Sequence, residues 1–234
     1  MAFYDSADLL LRLKRLLVRP SVDQAPAPDA AMDTTLYSFL EEAQLHWTRE
    51  LATHVPESMY IFEKLTTADS GVSYDFSGEP LGEYELRRTP TGALMIPCPE
   101  WEQGGDYVPA GQKIRFPGQL ARTFANGPWA RYVKMPTVLD ATHDPTLLPV
   151  HARQLLVPRA AVYFATRGGL RDPKPYQDLE DELWYGNAER GEVGILGSLK
   201  TQAFLQGAAA VSGLTSADWW RTISTGEGYV RGTG

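Results

Sequence analysis

A chain of 234 residues with 43% hydrophobic and 22% charged side chains can bury a sizeable core and has the composition of an ordinary globular protein. A net charge of −7 argues against a nucleic-acid binder that works through a broad basic surface, and a single cysteine, Cys98, excludes an internal disulfide framework or a Cys-rich zinc site. No apolar run reaches the roughly 20 residues that span a bilayer.

At the N-terminus, MAFYDSADLLLRLKRLLVRP places its basic residues within and after the leucines, the wrong order for a signal peptide. A protein assembled in the cytoplasm is expected. Ser6 is a suitable N-cap for a short helix carrying Leu9, Leu10, Leu13, Leu16 and Leu17, with Arg12, Lys14, Arg15 and Arg19 interleaved. Those cations read as a solvated helix face rather than a nucleic-acid contact. Pro20 ends the helix, and SVDQAPAPDAA follows as a Pro/Ala linker. From Asp33 a second helix lines up Leu36, Phe39, Leu40, Ala43, Trp47 and Leu51 on one stripe and closes at Pro56. His46 and His54 sit eight residues apart on it, not at the spacing of a helical metal pair.

Between residues 59 and 135 the periodicity changes from helical to alternating. Strands are predicted at 60–66, around Val72, Tyr74 and Phe76, and at 83–88, 93–96, 112–116 and 129–135. Turns are expected at 69–71, 78–82 and 90–92. Several short strands at this spacing suggest a small antiparallel sandwich or barrel. Because it interrupts helices, its two ends must lie close together.

The segment 147–169, LLPVHARQLLVPRAAVYFATRGG, returns to helical spacing, with Ala152, Leu156, Ala160 and Phe164 four residues apart. Its apolar face is broad enough to be covered on more than one side. Pro149 suits a first turn, Pro158 should kink or break the helix, and Gly168-Gly169 is a ready C-cap. A short helix with an acidic, solvated face is expected at 175–185, and a last core helix at 193–206. From Gly207 periodicity is lost. Leu214, Trp219, Trp220, Arg221, Ile223, Tyr229 and Val230 nevertheless stand among Gly, Ser and Thr, and two adjacent tryptophans in a glycine-rich tail must dock on something. The reading is an α+β protein: a helical bundle formed by N-terminal and C-terminal helices, an inserted small antiparallel β domain and an extended C-terminal tail. Its segments are 1–56, 57–140, 141–207 and 208–234.

Catalytic patterns are poorly matched. Gly197-Ser198-Leu199-Lys200-Thr201 echoes a phosphate-binding loop but has Leu199 where glycine must precede the lysine. No GxSxG elbow occurs. His143-Asp144 or His151 could join a distant serine in a triad, since such residues are neighbours only in space. Glu180, Asp181 and Glu182 are expected on a solvated helix. No catalytic, cofactor-binding or metal-ligating residues are assigned.

The order of elements, with DLLLRLKRLLVRP, TTLYSFLEEAQLHWTRELATHVP, LLPVHARQLLVPRAAVYFATRGG and GILGSLKTQAFLQG, resembles the head–tail adaptor (connector) proteins of tailed bacteriophages. The likeness covers the helical parts and the tail; the strand-rich middle fits an insertion of the kind larger adaptors carry. Linker and middle are longer than in the smallest adaptors, which bears on the ring's lower contacts. What the resemblance implies is a structural virion protein at the head–tail junction, in a homo-oligomeric, twelvefold ring beneath the portal protein, with a tail or nozzle protein below. The C-terminal tail would reach into the portal, and double-stranded DNA would pass through the lumen without specific binding. No enzymatic site comes with it, and no membrane. Two rivals stand beside this reading. The middle could be a glycan-binding module of a virion or cell-surface protein using Trp101, Tyr107, Trp129 and Tyr132 as platforms. A hydrolase would use the dispersed His, Asp and Ser residues.

Overall fold

The computed structural model describes residues 4–17, 30–69, 73–97, 107–110, 113–116, 128–168 and 172–212. Within them, helices α1 (Ser6–Leu17), α2 (Ala30–His54) and the single turn α3 (Pro56–Met59) precede seven strands. A 3-10 turn (Val150–Leu155) then leads into α4 (Leu156–Gly168), α5 (Lys174–Tyr185) and α6 (Ile195–Ser212). The architecture is α+β: helices from both ends of the described chain pack together, and the strands lie between them in sequence.

Helix α4 is the centre of the helical body, lying against α1, α2 and α5, with α6 added on α5. Leu9, Leu13, Leu36, Leu40, Leu51, Leu148, Leu155 and Leu156 are all buried in one continuous cluster. At about 1.5–3 kcal/mol for each fully buried leucine, this cluster is the main source of the helical body's stability. The stripe expected from four-residue spacing holds for Ala152, Leu156 and Ala160 but not for Phe164. That ring is only partly buried, edge-on to Phe39 with centroids 6.1 Å apart, and Ala165 takes the inner position. The winding changes from 3-10 to α at Leu155/Leu156, ahead of Leu156, Ala160 and Phe164 alike. Within α4 each four-residue step overruns the 3.6-residue turn by about 40°, so a strict four-residue series drifts around the helix instead of marking one buried line. Pro158 lies in the first turn of α4, where a missing N–H costs nothing, so the break falls ahead of the proline rather than at a kink.

Other boundaries move for local reasons. The N-cap of α1 is Asp5, not Ser6: the Asp5 Oδ1 accepts the Asp8 N–H at 2.8 Å, and its carbonyl accepts that of Leu9. Ser6, already helical, donates its N–H to Asp144 Oδ1 at 2.8 Å and ties the N-terminal helix to the loop before α4. Helix α6 starts at Ile195 and continues to Ser212, so residues 208–212, expected to be extended, are helical. Ala208, Ala209 and Ala210 account for this, alanine having the highest helix propensity.

The strands are β1 (Tyr60–Lys64), β2 (Thr66–Asp69), β3 (Ser73–Asp75), β4 (Pro80–Arg87), β5 (Val108–Ala110), β6 (Lys113–Arg115) and β7 (Trp129–Lys134). They form two antiparallel sheets, ordered β1-β7-β4 and β2-β3-β6-β5. The single strand read at 60–66 is broken at Leu65, which is buried and donates its N–H to the Pro128 carbonyl at 2.9 Å. The chain thereby passes from one sheet to the other. Gly82 is not part of a turn: with φ of +89° it sits at an irregularity inside β4, which begins at Pro80. The strand expected at 93–96 is reduced to a bridge between Leu94 and Arg87, and β5 forms where no strand was expected. Between the sheets lie Leu65, Tyr74, Phe76, Leu86, Ile114, Phe116 and Tyr132. Insertion is achieved by pairing the first and last strands, Tyr60 opposite Val133 and Lys64 opposite Trp129, so the chain enters and leaves side by side. Met59 and Val133 are buried in the helical cluster and join the two bodies.

Candidate interaction surfaces

The tail residues Leu214, Trp219, Trp220, Arg221, Ile223, Tyr229 and Val230 lie outside the described residues, as do Cys98 and Trp101.

On α1, Arg12 pairs with Asp8 at 2.8 Å and Lys14 with Asp33, leaving Arg15 as an exposed cation. Glu180 departs from the sequence reading. It is 3% exposed, not solvated, and accepts Arg159 Nε at 2.7 Å. Burial pushes the Glu180 carboxyl above its ordinary pKa, and Arg159 offsets only part of that. The same guanidinium lies 5.9 Å from the ring centres of both Trp47 and Tyr163. Burial and then Arg159 push the half-buried His46 down. Trp47 and Trp184 contact each other at 4.8 Å. The Trp47 indole N–H is buried without a full hydrogen bond and acts weakly on Glu180. This network joins α2, α4 and α5 and is structural in character. The signal was present in the sequence: Tyr176, Glu180 and Trp184 are four apart, so the carboxylate falls between two buried aromatics on one helical stripe.

The catalytic candidates do not assemble. Thr142 Oγ1 and Asp140 both approach His143 at the same ring nitrogen, Nδ1, at 3.1 and 2.9 Å, whereas a triad needs opposite nitrogens. Asp140 is half-buried; the Thr142 backbone and hydroxyl and the His143 ring hold its carboxyl well below the usual range in a local turn. Asp144 is engaged with Ser6. His151 and Ser198 line one cleft, but no side-chain hydrogen bond links them. The phosphate-loop echo is wound into α6, where Ser198 donates its N–H to the Gly194 carbonyl at 3.1 Å and Thr201 Oγ1 donates to that of Gly197 at 2.9 Å. Its amides cannot form an open cradle. Among the described residues no group of three His, Cys, Asp or Glu side chains is placed to hold a metal ion, and no helix is long and apolar enough to cross a membrane.

Two surfaces remain. The first is a groove on the helical body made of two adjoining clefts, of about 390 and 450 Å³, that share Gln154, Leu179 and Leu183. Its floor is largely apolar. Arg12 and Arg15 of α1 stand at one end, and Glu182, Glu192 and His151 at the other, beside the start of α6. Behind the acidic end, Gly186 and Gly194 touch back to back. Gly186 caps α5 with φ of +85°, and a side chain on either glycine would strike the other's backbone. Asn187 and Glu192 exchange backbone hydrogen bonds at 3.1 and 2.9 Å and close the loop between. Val193 and Tyr185 consequently point outward and are exposed.

The second surface is the outer face of the three-stranded sheet. Phe62 stacks on Trp129 with centroids 5.1 Å apart and planes 22° from parallel, and Arg131 lies over Tyr60 at 4.4 Å. Of the four aromatics considered for glycan binding, Tyr107 and Tyr132 are core residues, 3% and 0% exposed, so only Trp129 stands on this face among the described residues. The alternation of β1 brings Phe62 there, a residue the sequence reading did not single out. The chain matches no protein-family model, and no curated protein matches it.

Proposed function

We propose that the chain is a structural subunit of a head–tail adaptor ring in a tailed phage. It would join the portal protein to a tail or nozzle protein at the neck of the virion and let double-stranded DNA pass through its lumen. The observation that carries this reading is the presence of two unlike sticky surfaces, the helical groove and the aromatic strand face, on bodies joined where Met59 and Val133 enter the helical cluster. A closed ring needs heterologous contacts of this kind, since each subunit meets its neighbours through different faces. The net charge of −7 supports a lumen that does not hold DNA, because tight binding would require clustered cations. On this reading the protein has no enzymatic role, and Trp219 and Trp220, with Leu214, Arg221, Ile223, Tyr229 and Val230, anchor the subunit on the portal.

Electron microscopy of the purified protein, alone and with portal protein, tests it. Closed rings that cap the portal are expected; a monomer that leaves the portal bare overturns it. The Phe62–Trp129 stack favours one other reading, a β body that binds glycans, because sugars pack on exposed aromatic faces. Glycan-array binding that is lost in Trp129→Ala would favour that reading instead.

A further inference from the structure

The helical groove and the chain that continues beyond α6 fit each other in reach, charge and chemistry. Ile195, the first residue of α6, lines the acidic end of the groove. The helix then carries the chain away for its 18 residues, about 27 Å at 1.5 Å per residue. An extended segment returning over that distance needs about eight residues at roughly 3.3 Å each. Counted from Ser212, eight residues end at Trp219 and Trp220. Gly213, the first residue past the helix, is of the type that most readily permits the reversal.

Charge agrees with reach. Asp218 and Arg221 flank the tryptophan pair, and the groove offers Arg15 at one end and Glu192 at the other, both exposed and without an ion pair among the described residues. Between them lies the apolar floor of Leu179, Leu183 and Ile195, of the kind that seats large aromatic anchors.

We propose that the groove between α1, α5 and the start of α6 is the seat for the chain's own residues 213–223, with Trp219 and Trp220 as anchors. Tethering favours this occupant over any free partner. A segment linked at this range has an effective concentration on the order of 1 mM, so even a millimolar intrinsic affinity fills the groove half the time. The adaptor reading uses the same groove as a subunit contact, which is open only once the tail has left it. If that reading holds, a portal-like partner must draw the tryptophans out of the groove, and self-occupancy protects them until it arrives.

The test uses the full chain with Cys98→Ser and one cysteine pair, Ser198→Cys in the groove with Thr222→Cys in the tail. Mild oxidation at low protein concentration should give an intramolecular crosslink. It should form about tenfold faster than with Thr91→Cys, on the 89–92 turn of the β body, in place of Ser198→Cys. Adding Trp219→Ala and Trp220→Ala should remove the difference. Arg15→Glu should slow the crosslink, and Asp218→Arg in the same chain should restore it. Equal rates at the two cysteine positions, indifference to the tryptophan changes, or crosslinks only between copies would each overturn the proposal. The measurement is made on the chain without portal, so its failure is distinguishable from a failure of the adaptor reading.

Discussion

Arg159 of α4 holds Glu180 of α5 through Nε and Oε1 at 2.7 Å, with the carboxylate almost wholly inside and the guanidinium side chain about a quarter exposed. A pair placed this way is costly to break and cheap to replace. Removing one partner strands the other charge, whereas an apolar pair of similar volume avoids desolvation altogether. Glu180→Ala should destabilise the protein by about 3 kcal/mol, and Glu180→Leu combined with Arg159→Met should recover most of that loss. Urea titrations of Glu180→Ala and of the double variant check it. A double variant no better than Glu180→Ala would mean that the pair contributes more than its cost.

The same carboxylate sets a pH dependence. Its pKa in the folded protein is raised, first by burial, above the ordinary glutamate value of 4.5. Between those two values the folded state binds more protons than the unfolded state, so stability falls as pH rises through the window. Above the folded pKa the difference is constant. Subtracting the stability profile of Glu180→Gln from that of the native chain should isolate this decline. A difference profile that rises with pH would reverse the sign assigned to the group.

Glu63 behaves oppositely. Burial raises its pKa, but hydrogen bonds from Ser77 and Tyr132, with the charge of Lys134, outweigh burial and bring it below the usual value. Its Oε1 accepts the Ser77 N–H and the Tyr132 hydroxyl, both at 2.8 Å. The stability it contributes is present above pH 4.5 or so and is lost as pH falls through the depressed value. Burial pushes the Tyr132 phenol up to about 12, so the hydroxyl remains a donor throughout this range. Tyr132→Phe should cost roughly 1–3 kcal/mol near neutrality, the usual effect of removing a hydrogen bond to a charged group, and less at acid pH. A cost independent of pH would mean that the hydroxyl acts only through packing.

Gly186 and Gly194 give a steric prediction. Gly186→Ala combines a left-handed backbone with a Cβ driven into the backbone of Glu192 and Gly194, so a loss of more than about 2 kcal/mol is expected. Gly191, at φ of +68°, has open space at its Cβ position, and Gly191→Ala should cost only about 1 kcal/mol of conformational energy. Equal costs in thermal unfolding would show that backbone conformation alone, not the close approach, decides both positions.

What the sequence made legible was periodicity. The stripe of Leu36, Leu40, Ala43, Trp47 and Leu51 and the alternation of Tyr74 with Phe76 are local signals, and all these side chains are buried. What escaped were features set by distant partners. Glu180 looked like one more acid on a solvated face because Arg159 is 21 residues away in sequence. Phe164 seemed a core anchor because a four-residue series reads as one stripe, although it drifts around a helix of 3.6 residues per turn. The groove joins α1 to α5 and α6, which no window of sequence contains. Phe62 became part of an exposed face only once β7 placed Trp129 beside it.

The last prediction separates the tail from the folded bodies. Deleting residues 216–234 removes Trp219, Trp220, Ile223 and Tyr229, which the adaptor reading makes the anchors on the portal. It removes none of the residues that build the helical cluster or the strand core. If those residues also rest in the chain's own groove at millimolar intrinsic affinity, their loss costs less than about 1 kcal/mol, since a site half filled by its ligand gains only RT ln 2. The melting temperature of the truncated chain should therefore stay within a few degrees of the parent, given roughly 2–4 °C per kcal/mol for a domain of this size. Attachment to the portal should be abolished, because large aromatic anchors dominate interface energies. Sedimentation of truncated and full chains with portal particles reads both consequences on one sample. A truncated chain that still caps the portal at parental affinity would remove the tail from the docking role. One that melts far below the parent would place the tail within the fold's own core instead.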